Sequence, residues 1–373
     1  MKKSRVYFTN MRARPGTNIQ QKLDRLMEAA GIGTIDMADR FVAIKVHFGE
    51  PGNLAFLRPN FSKTVADVCK RHGGMPFLTD CNTLYVGRRR HALEHLDAAF
   101  ENGFSPLSTG CQMIIADGLK GTDDVEVPVE GGELVTNAKI GRAIMDADVI
   151  VSLNHFKGHE LSGFGGAIKN LGMGSGSRAG KMEQHNSGKP AVDPELCRGC
   201  HMCANYCAQS AISFTEENKA VIDHDKCVGC GRCIGLCRFD AIEPTDDSSE
   251  EDLVRKIAEY AKAVCQGRPN FHINIVMDVS PYCDCHAEND TPVIQDIGMF
   301  ASFDPVALDQ ACIDAVNAAN PLPGSLLTDR IAEDGDTHDH FHTIFRNTHW
   351  QAGQEHAEHI GLGTTSYELV ELS

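Results

Sequence analysis

Residues 197–237 constrain the chain more than any other stretch, because they carry one cysteine spacing twice. Cys197, Cys200, Cys203 and Cys207 follow C-x2-C-x2-C-x3-C, and Cys227, Cys230, Cys233 and Cys237 repeat it. Three closely spaced thiolates can wrap three irons of a cubane, which leaves the fourth iron to a ligand from elsewhere. In runs of this spacing the fourth cysteine ligates the other cluster. The expected sets are therefore Cys197, Cys200, Cys203 and Cys237 for one 4Fe-4S cluster, and Cys227, Cys230, Cys233 and Cys207 for a second. Zinc sites built from paired C-x2-C, or a disulfide framework, need neither the triple run nor the x3-C that twice follows it.

The repeat extends past the ligands. Val192-Asp193 answers Ile222-Asp223, and Ala211-Ile212 answers Ala241-Ile242. Each half reads as strand, cluster loop, short helix and strand, related by pseudo-twofold symmetry. Over about fifty residues the stretch resembles two-cluster bacterial ferredoxins, with Ala208 and Arg238 standing where prolines are usual. That resemblance implies one-electron transfer.

Strands are expected at Arg5 to Asn10, Phe41 to Glu50, Met75 to Thr79, Gln112 to Asp117, Val149 to His155 and His272 to Ser280. Helical spacing is expected over Asn18 to Ala30, Phe61 to Arg71, Leu84 to Phe100, Ala138 to Met145, Glu250 to Cys265 and Asp304 to Ala318. Such alternation implies an α/β fold with a mostly parallel sheet covered on both faces. The pattern stops near residue 180 and resumes near residue 250. The expectation is a discontinuous, Rossmann-like domain of residues 1–188 and 247–373, interrupted by an α+β two-cluster ferredoxin-type insert at 189–246.

Acidic residues number 51 against 35 basic, a formal charge of -16, so nucleic acid is not an expected partner. No apolar run approaches the roughly 18 residues of a membrane span. The basic start MKKSRVYFTNMRARPG lacks the apolar core of a secretion signal. Outside the motif remain Cys69, Cys81, Cys111, Cys265, Cys283, Cys285 and Cys312. An odd remainder without regular spacing suits a reducing, cytoplasmic setting.

Ligands of open parallel sheets bind beyond the carboxyl ends of the strands. The chain puts Lys45 and His47, Asp80-Cys81-Asn82, Asp117, Asn154-His155 with His159, and the run SPYCDCH at such ends. In SPYCDCH, Cys283 and Cys285 can approach one ion, with His286, His155, His159 or His47 completing a third metal site for iron, zinc or nickel. A redox-active thiol pair, or two buried thiols without a ligand, are the alternatives. In GHELSGFGGAIKNLGMGSGSRAGK, Gly165, Gly166, Gly172 and Gly174 allow close backbone approach to a small anionic cofactor, with Lys169, Arg178 or Lys181 adding charge. A mobile lid or a packed turn is the other reading. The run lacks a Walker spacing, and no G-x-G-x-x-G follows the first strand, so nicotinamide is not indicated. His47, His155, His159 and Lys169 are the catalytic candidates. Six of the 17 histidines fall between Thr337 and His359, which reads as a solvated polar segment.

Taken together, KVHFGE, DCNTLYVG, GHELSGFGGAIKNLGMG, SPYCDCH and DIGMFASFDPVALDQA resemble the ferredoxin-bearing branch of the family catalogued as domain of unknown function 362. The motif positions are Lys45, His47, Asn82, His155, His159, Lys169, Cys283, Cys285 and Asp304. The resemblance implies an iron-sulfur protein and supplies no settled substrate. The segment from His155 to Lys169 is similar to the cofactor-holding segment of nickel-pincer lactate racemases, which implies a cofactor at the same sheet edge. Three functions stay open: an oxidoreductase whose clusters relay electrons to a substrate or metal centre at the sheet edge; a ferredoxin-like carrier or assembly protein docking a partner enzyme; and a racemase-like or isomerase-like enzyme with structural clusters. A redox partner protein and a small-molecule substrate are the expected partners, and an exposed edge strand leaves oligomerisation open.

Overall fold

The computed structural model describes residues 3–372 except 85–86, 186–188, 208, 228–232, 235–236, 238, 240, 245–249, 335–337 and 347. Cys230, Ala208 and Arg238 thus lie outside the described residues.

Alternation of apolar side chains on both faces builds the centre of the molecule. The chain runs β1 (Ser4–Asn10), α1 (Ile19–Ala30), β2 (Phe41–Lys45), α2 (Pro59–Arg71), β3 (Met75–Asp80), α3 (Ala92–Glu101), α4 (Pro106–Thr109) and β4 (Gln112–Ile115). Next come β5 (Asp124–Pro128), β6 (Asn137–Gly141), α5 (Arg142–Met145), β7 (Val149–His155), β8 (Lys157–His159), β9 (Gly163–Gly165), α6 (Ala167–Ser175) and α7 (Arg178–His185). The cysteine-rich stretch holds β10 (Pro190–Val192), α8 (Met202–Asn205), β11 (Ile212–Phe214), β12 (Ala220–Ile222) and β13 (Ile242–Pro244). After it follow α9 (Glu250–Cys265), β14 (Asn270–Val276), β15 (Gly298–Ser302), α10 (Pro305–Asn317), α11 (Leu326–Asp334), α12 (His340–Ile344), α13 (Trp350–His359) and β16 (Tyr367–Glu371).

Eight strands form one sheet in the order β16-β1-β15-β14-β7-β2-β3-β4. Only β15 runs against its neighbours in this sheet; the remaining pairings are parallel. Strands from both sides of the cysteine-rich stretch therefore share one sheet. Val42, Ile44, Val149, Val151 and Leu153 pack towards α1 and α2, whereas Ala43 and Ile150 pack towards α6 and α9. This is the two-faced burial that parallel strands require. A third apolar cluster joins α10 to β1 and β15 through Leu308, Ile313, Val6 and Phe300.

Several expected elements have different bounds, and the reasons are tertiary. The second strand ends at Lys45 because the chain then turns, with Gly49 at φ 80°. The helix expected from Leu84 starts only at Ala92, capped by His91, because Arg89 is drawn inward to Glu50. Ala138 to Met145 is not a helix: β6 pairs with β5, and a single turn follows. The strand expected to run to Ser280 stops at Val276, and Asp278 adopts φ 45°.

The glycine-rich run is mostly helical. Its first turn is anchored by Asp309, whose carboxylate accepts from the amides of Ala167 (2.7 Å) and Ile168 (2.9 Å). Those amides are orphan donors at a helix start, and an acidic partner there is doubly favourable. Gly172 packs α6 on α9, where a Cβ would collide with the carbonyl oxygen of Ile257. Gly172→Ala is accordingly expected to cost about 1–3 kcal/mol by overpacking. A lowered urea midpoint would report it; an unchanged midpoint would show that the two helices part freely.

The histidine-rich segment is not simply solvated. It forms α12 and α13, with His340 and His356 buried. His356 Nε2 lies 2.8 Å from buried Glu259, whose carboxylate also accepts amides of residues 133–135.

In the cysteine-rich stretch the internal repeat is visible as geometry. β10 pairs with β13 and β11 with β12, so each half donates one strand to each small sheet. Asp193 N donates to Ala241 O and Asp223 N to Ala211 O, at 2.8 and 2.7 Å. Ala211 N approaches Cys207 Sγ at 3.4 Å and Ala241 N approaches Cys237 Sγ at 3.3 Å. Among the described residues, no helix is long and apolar enough to cross a membrane.

Candidate functional site

Parallel strands end their side-chain rows along one edge, and α6 lies across that edge. Lys169 and Met173, and beside them Asn170 and Gly174, are each one helical turn apart and so present two adjacent rows to the strand ends. Asn170 ties the helix down. Its Oδ1 accepts from Lys45 Nζ at 2.6 Å, and its Nδ2 donates to Lys45 O, Leu153 O and Asn154 Oδ1. Between helix and edge lies a cavity of about 90 Å³. That is room for a ligand of a few heavy atoms rather than a dinucleotide.

The cavity floor is a buried ion pair, Lys45 Nζ to Asp80 Oδ1 at 2.8 Å, with both side chains almost wholly enclosed. Burial alone would raise the Asp80 carboxyl, yet the charges of Lys45 and its neighbours hold it well below the usual carboxylate range. At one side Arg89 donates to Glu50 Oε2 at 2.7 Å and faces His47 Nε2 at 2.7 Å. Burial, aided by the Arg89 charge, pushes His47 down to about 3. His47 therefore stays neutral, with Nε2 facing the Arg89 guanidinium and Nδ1 accepting from the Gly49 amide, so both nitrogens are taken up within the protein.

His155 is also engaged. Nδ1 lies 2.9 Å from Asp284 and Nε2 lies 2.8 Å from Met277 O, so both ring nitrogens face oxygen acceptors. Both nitrogens are therefore taken up by partners within the protein. Burial would raise Asp284, but His155 and Lys157 draw it down to about 2. His159 has the opposite surroundings, since its Nδ1 accepts from the amides of Leu161 and Ser162, each at 3.1 Å. The proton of this neutral ring must sit on Nε2.

The remaining wall is made by SPYCDCH. His159, Cys283 and Cys285 offer ligand atoms within 4.8 Å of one another, and so do Glu160, Cys285 and His286. By spacing alone either group has the reach to surround one ion. Two ammonium groups also reach Cys283 Sγ, Lys157 and Lys169 each at 3.7 Å. The hydrogen bond from Cys285, opposed by burial and aided by both lysines, draws the Cys283 thiol well below its ordinary value. Its partner Cys285 is pushed well above, first by sharing that hydrogen bond and then by burial. With two ammonium groups at 3.7 Å from its sulfur, Cys283 is the member of the pair on which thiolate charge is favoured. At the rim His286 Nε2 meets Glu160 Oε1 at 2.5 Å.

Of the residues expected from the sequence, His47, His155, His159, Lys169, Gly165, Gly166, Gly174, Cys283 and Cys285 line this one cavity. Gly172 does not; it faces α9. Lys181 also lines the cavity, with its Nζ donating to Gly176 O at 2.6 Å, whereas Arg178 is buried elsewhere. Lys157, Arg89 and Glu160 escaped sequence reading, whereas Asp80 stands at the strand end where the sequence put it. Lys157 was detectable, since it alternates with His155 and His159 along one extended segment.

A second recess is lined by Cys197, Cys200, Cys203 and Cys237. Leu84 lines the first cavity and belongs to the apolar cluster that also contains Cys197, Cys203, Cys237 and Met182. Arg90 Nη1 donates to Cys237 O at 3.0 Å.

The model of a family described as a domain of unknown function, DUF362, matches residues 42–314. No curated protein matches the sequence. Among solved structures, a protein from Thermotoga maritima is 14% identical with a TM-score of 0.36, over 75% of this chain and 54% of that one. The chain thus spans about half the length of that protein. The lactate racemase apoprotein from Thermoanaerobacterium thermosaccharolyticum is 11% identical with a TM-score of 0.36, over 95% of this chain and 78% of that one.

Proposed function

The chain belongs to the DUF362 family, and we propose that it is an iron-sulfur oxidoreductase in which two 4Fe-4S clusters serve a small-molecule site at the sheet edge. In this reading residues 1–188 and 247–373 form one α/β domain, and 189–246 form a ferredoxin-type insert that a redox partner protein addresses.

The donor set fits cubanes. Cys197, Cys200, Cys203 and Cys237 gather around one recess, the combination in which the fourth thiolate comes from the other run. Backbone amides of Ala220, Ala211 and Ala241 point at the sulfurs of Cys197, Cys207 and Cys237. Such bonds stabilise thiolate charge and tune potential. Cys207 with Cys227, Cys230 and Cys233 would hold the second group. When bound, the clusters would supply one-electron transfer.

The observation that carries the reading is Leu84. Its side chain lines the cavity and belongs to the same apolar cluster as Cys197, Cys203 and Cys237, and Arg90 donates to Cys237 O nearby, so the insert abuts the site instead of hanging from the domain as an appendage. Within the cavity, Lys157 and Lys169 supply positive charge for a small anion, and Cys283 supplies a thiolate.

Anaerobic reduction with dithionite, followed by electron paramagnetic resonance, tests the reading. Two one-electron cubane signals per chain are expected. Clusters present but irreducible would sink the oxidoreductase reading and favour structural clusters in an enzyme of racemase type.

A further inference from the structure

Resting on that reading, we propose that Cys283 and Cys285 are a dithiol-disulfide couple that reduces a small anionic disulfide, rather than ligands of a third metal ion. Three geometric facts favour thiol chemistry. His159 Nδ1 is committed to two backbone amides, so Nε2 carries the proton and has no lone pair for a metal. Lys157 and Lys169 both stand 3.7 Å from Cys283 Sγ, where a cation would meet two like charges. Cys285 Sγ lies within 4.8 Å of Cys283, close enough to resolve a mixed disulfide after a small side-chain rotation.

Charge at the same atoms selects the substrate. Asp284 is engaged by His155, and Asp80 is paired with Lys45. Glu160 is engaged by His286, and Lys157 and Lys169 both stand over the Cys283 sulfur, so the groups closest to it present positive charge to a carboxylate or other anionic group on the ligand. The small cavity limits that ligand to a short chain. This local excess stands out in a chain whose formal charge is -16.

The chemistry balances without further groups. The Cys283 thiolate attacks one sulfur of R-S-S-R′, forming Cys283-S-S-R and releasing R′S⁻. The leaving thiolate takes the proton of Cys285. The Cys285 thiolate so formed attacks Cys283, closing the internal disulfide and releasing RS⁻, which is protonated from solvent. Two electrons and one proton return the pair to thiolate and thiol. A low-potential one-electron donor protein acting through the cysteine-rich insert is the reductant, and the sum is R-S-S-R′ + 2e⁻ + 2H⁺ giving two thiols.

The test uses the anaerobic holoprotein, with the dithionite-reduced cubane signal of every variant as its folding control. Protein is exposed to dithiodiglycolate, an anionic disulfide, or to cystamine, a cationic one, then quenched, alkylated and analysed by mass spectrometry. In the wild type, both Cys283 and Cys285 should lose alkylation together, and dithiodiglycolate should react at least about tenfold faster, the scale on which local charge steers an ion. Cys285→Ser should stall with the carboxymethylthio group on residue 283, and Lys169→Met should shrink the preference. Full alkylation of both cysteines in a protein that retains its clusters would overturn the couple. So would cystamine reacting faster, or stoichiometric zinc or nickel released by Cys283→Ser. Absence of iron would instead fail the cluster reading, so the two failures are distinguishable.

Discussion

Cys237→Ser is expected to lower bound iron from about eight to about four per chain, and to remove the same cubane signal that Cys200→Ser removes. Cys237 lies in the second run by sequence yet lines the recess of Cys197, Cys200 and Cys203. Its sulfur receives an amide from Ala241, and its carbonyl accepts from Arg90 beside the cavity. Cys227→Ser should therefore leave the signal that Cys237→Ser deletes. The measurement is iron content with spectra of the three dithionite-reduced variants. If Cys237→Ser and Cys227→Ser delete one and the same signal, each run holds its own cluster and the crossed assignment is wrong.

Lys45→Met is expected to destabilise the protein by about 3–5 kcal/mol, the penalty for stranding one partner of a buried ion pair. Asp80 would lose its 2.8 Å partner in a site almost closed to water. Asn170 would lose the ammonium that Oδ1 accepts, loosening α6 from β2. Neutralising both ends, as Lys45→Met with Asp80→Asn, should recover most of the loss, because no uncompensated charge remains buried. Chemical denaturation of the single and double variants decides it. Equal losses in both would mean that packing, not charge, is what Lys45 contributes.

The parts of the molecule set by local rules were readable from the chain. Asn18 and Gln21 form the capping box that begins α1, and Asp304 caps α10 by accepting from Val306 and Ala307. The near-continuous apolar run Val149 to Leu153 marks a strand buried on both faces. What escaped depends on partners distant in sequence. Ala138 and Ile140 have helical company locally, yet β6 forms because β5 lies alongside. The Gly158 to Lys181 run is rich in glycine, yet α6 forms because Asp309, far along the chain, satisfies its first amides. β15 is short and apolar, and nothing local tells that it alone reverses direction in the sheet.

The same limit applies to the cavity. The strand-end rule collects Lys45, His47, His155 and Cys283, but histidine chemistry follows from what each nitrogen faces. His155 meets two acceptors and His159 two donors, a contrast created by Asp284 and by the turn at Leu161 and Ser162. Lys157 reads as an ordinary lysine until the fold brings it to Cys283.

The most direct test of the account is the metal and acid-labile sulfide content of the wild-type protein, purified without oxygen. About eight irons and eight sulfides per chain, with no stoichiometric zinc or nickel, is the predicted result. Zinc in place of iron at the eight motif cysteines, or iron without sulfide, would contradict it.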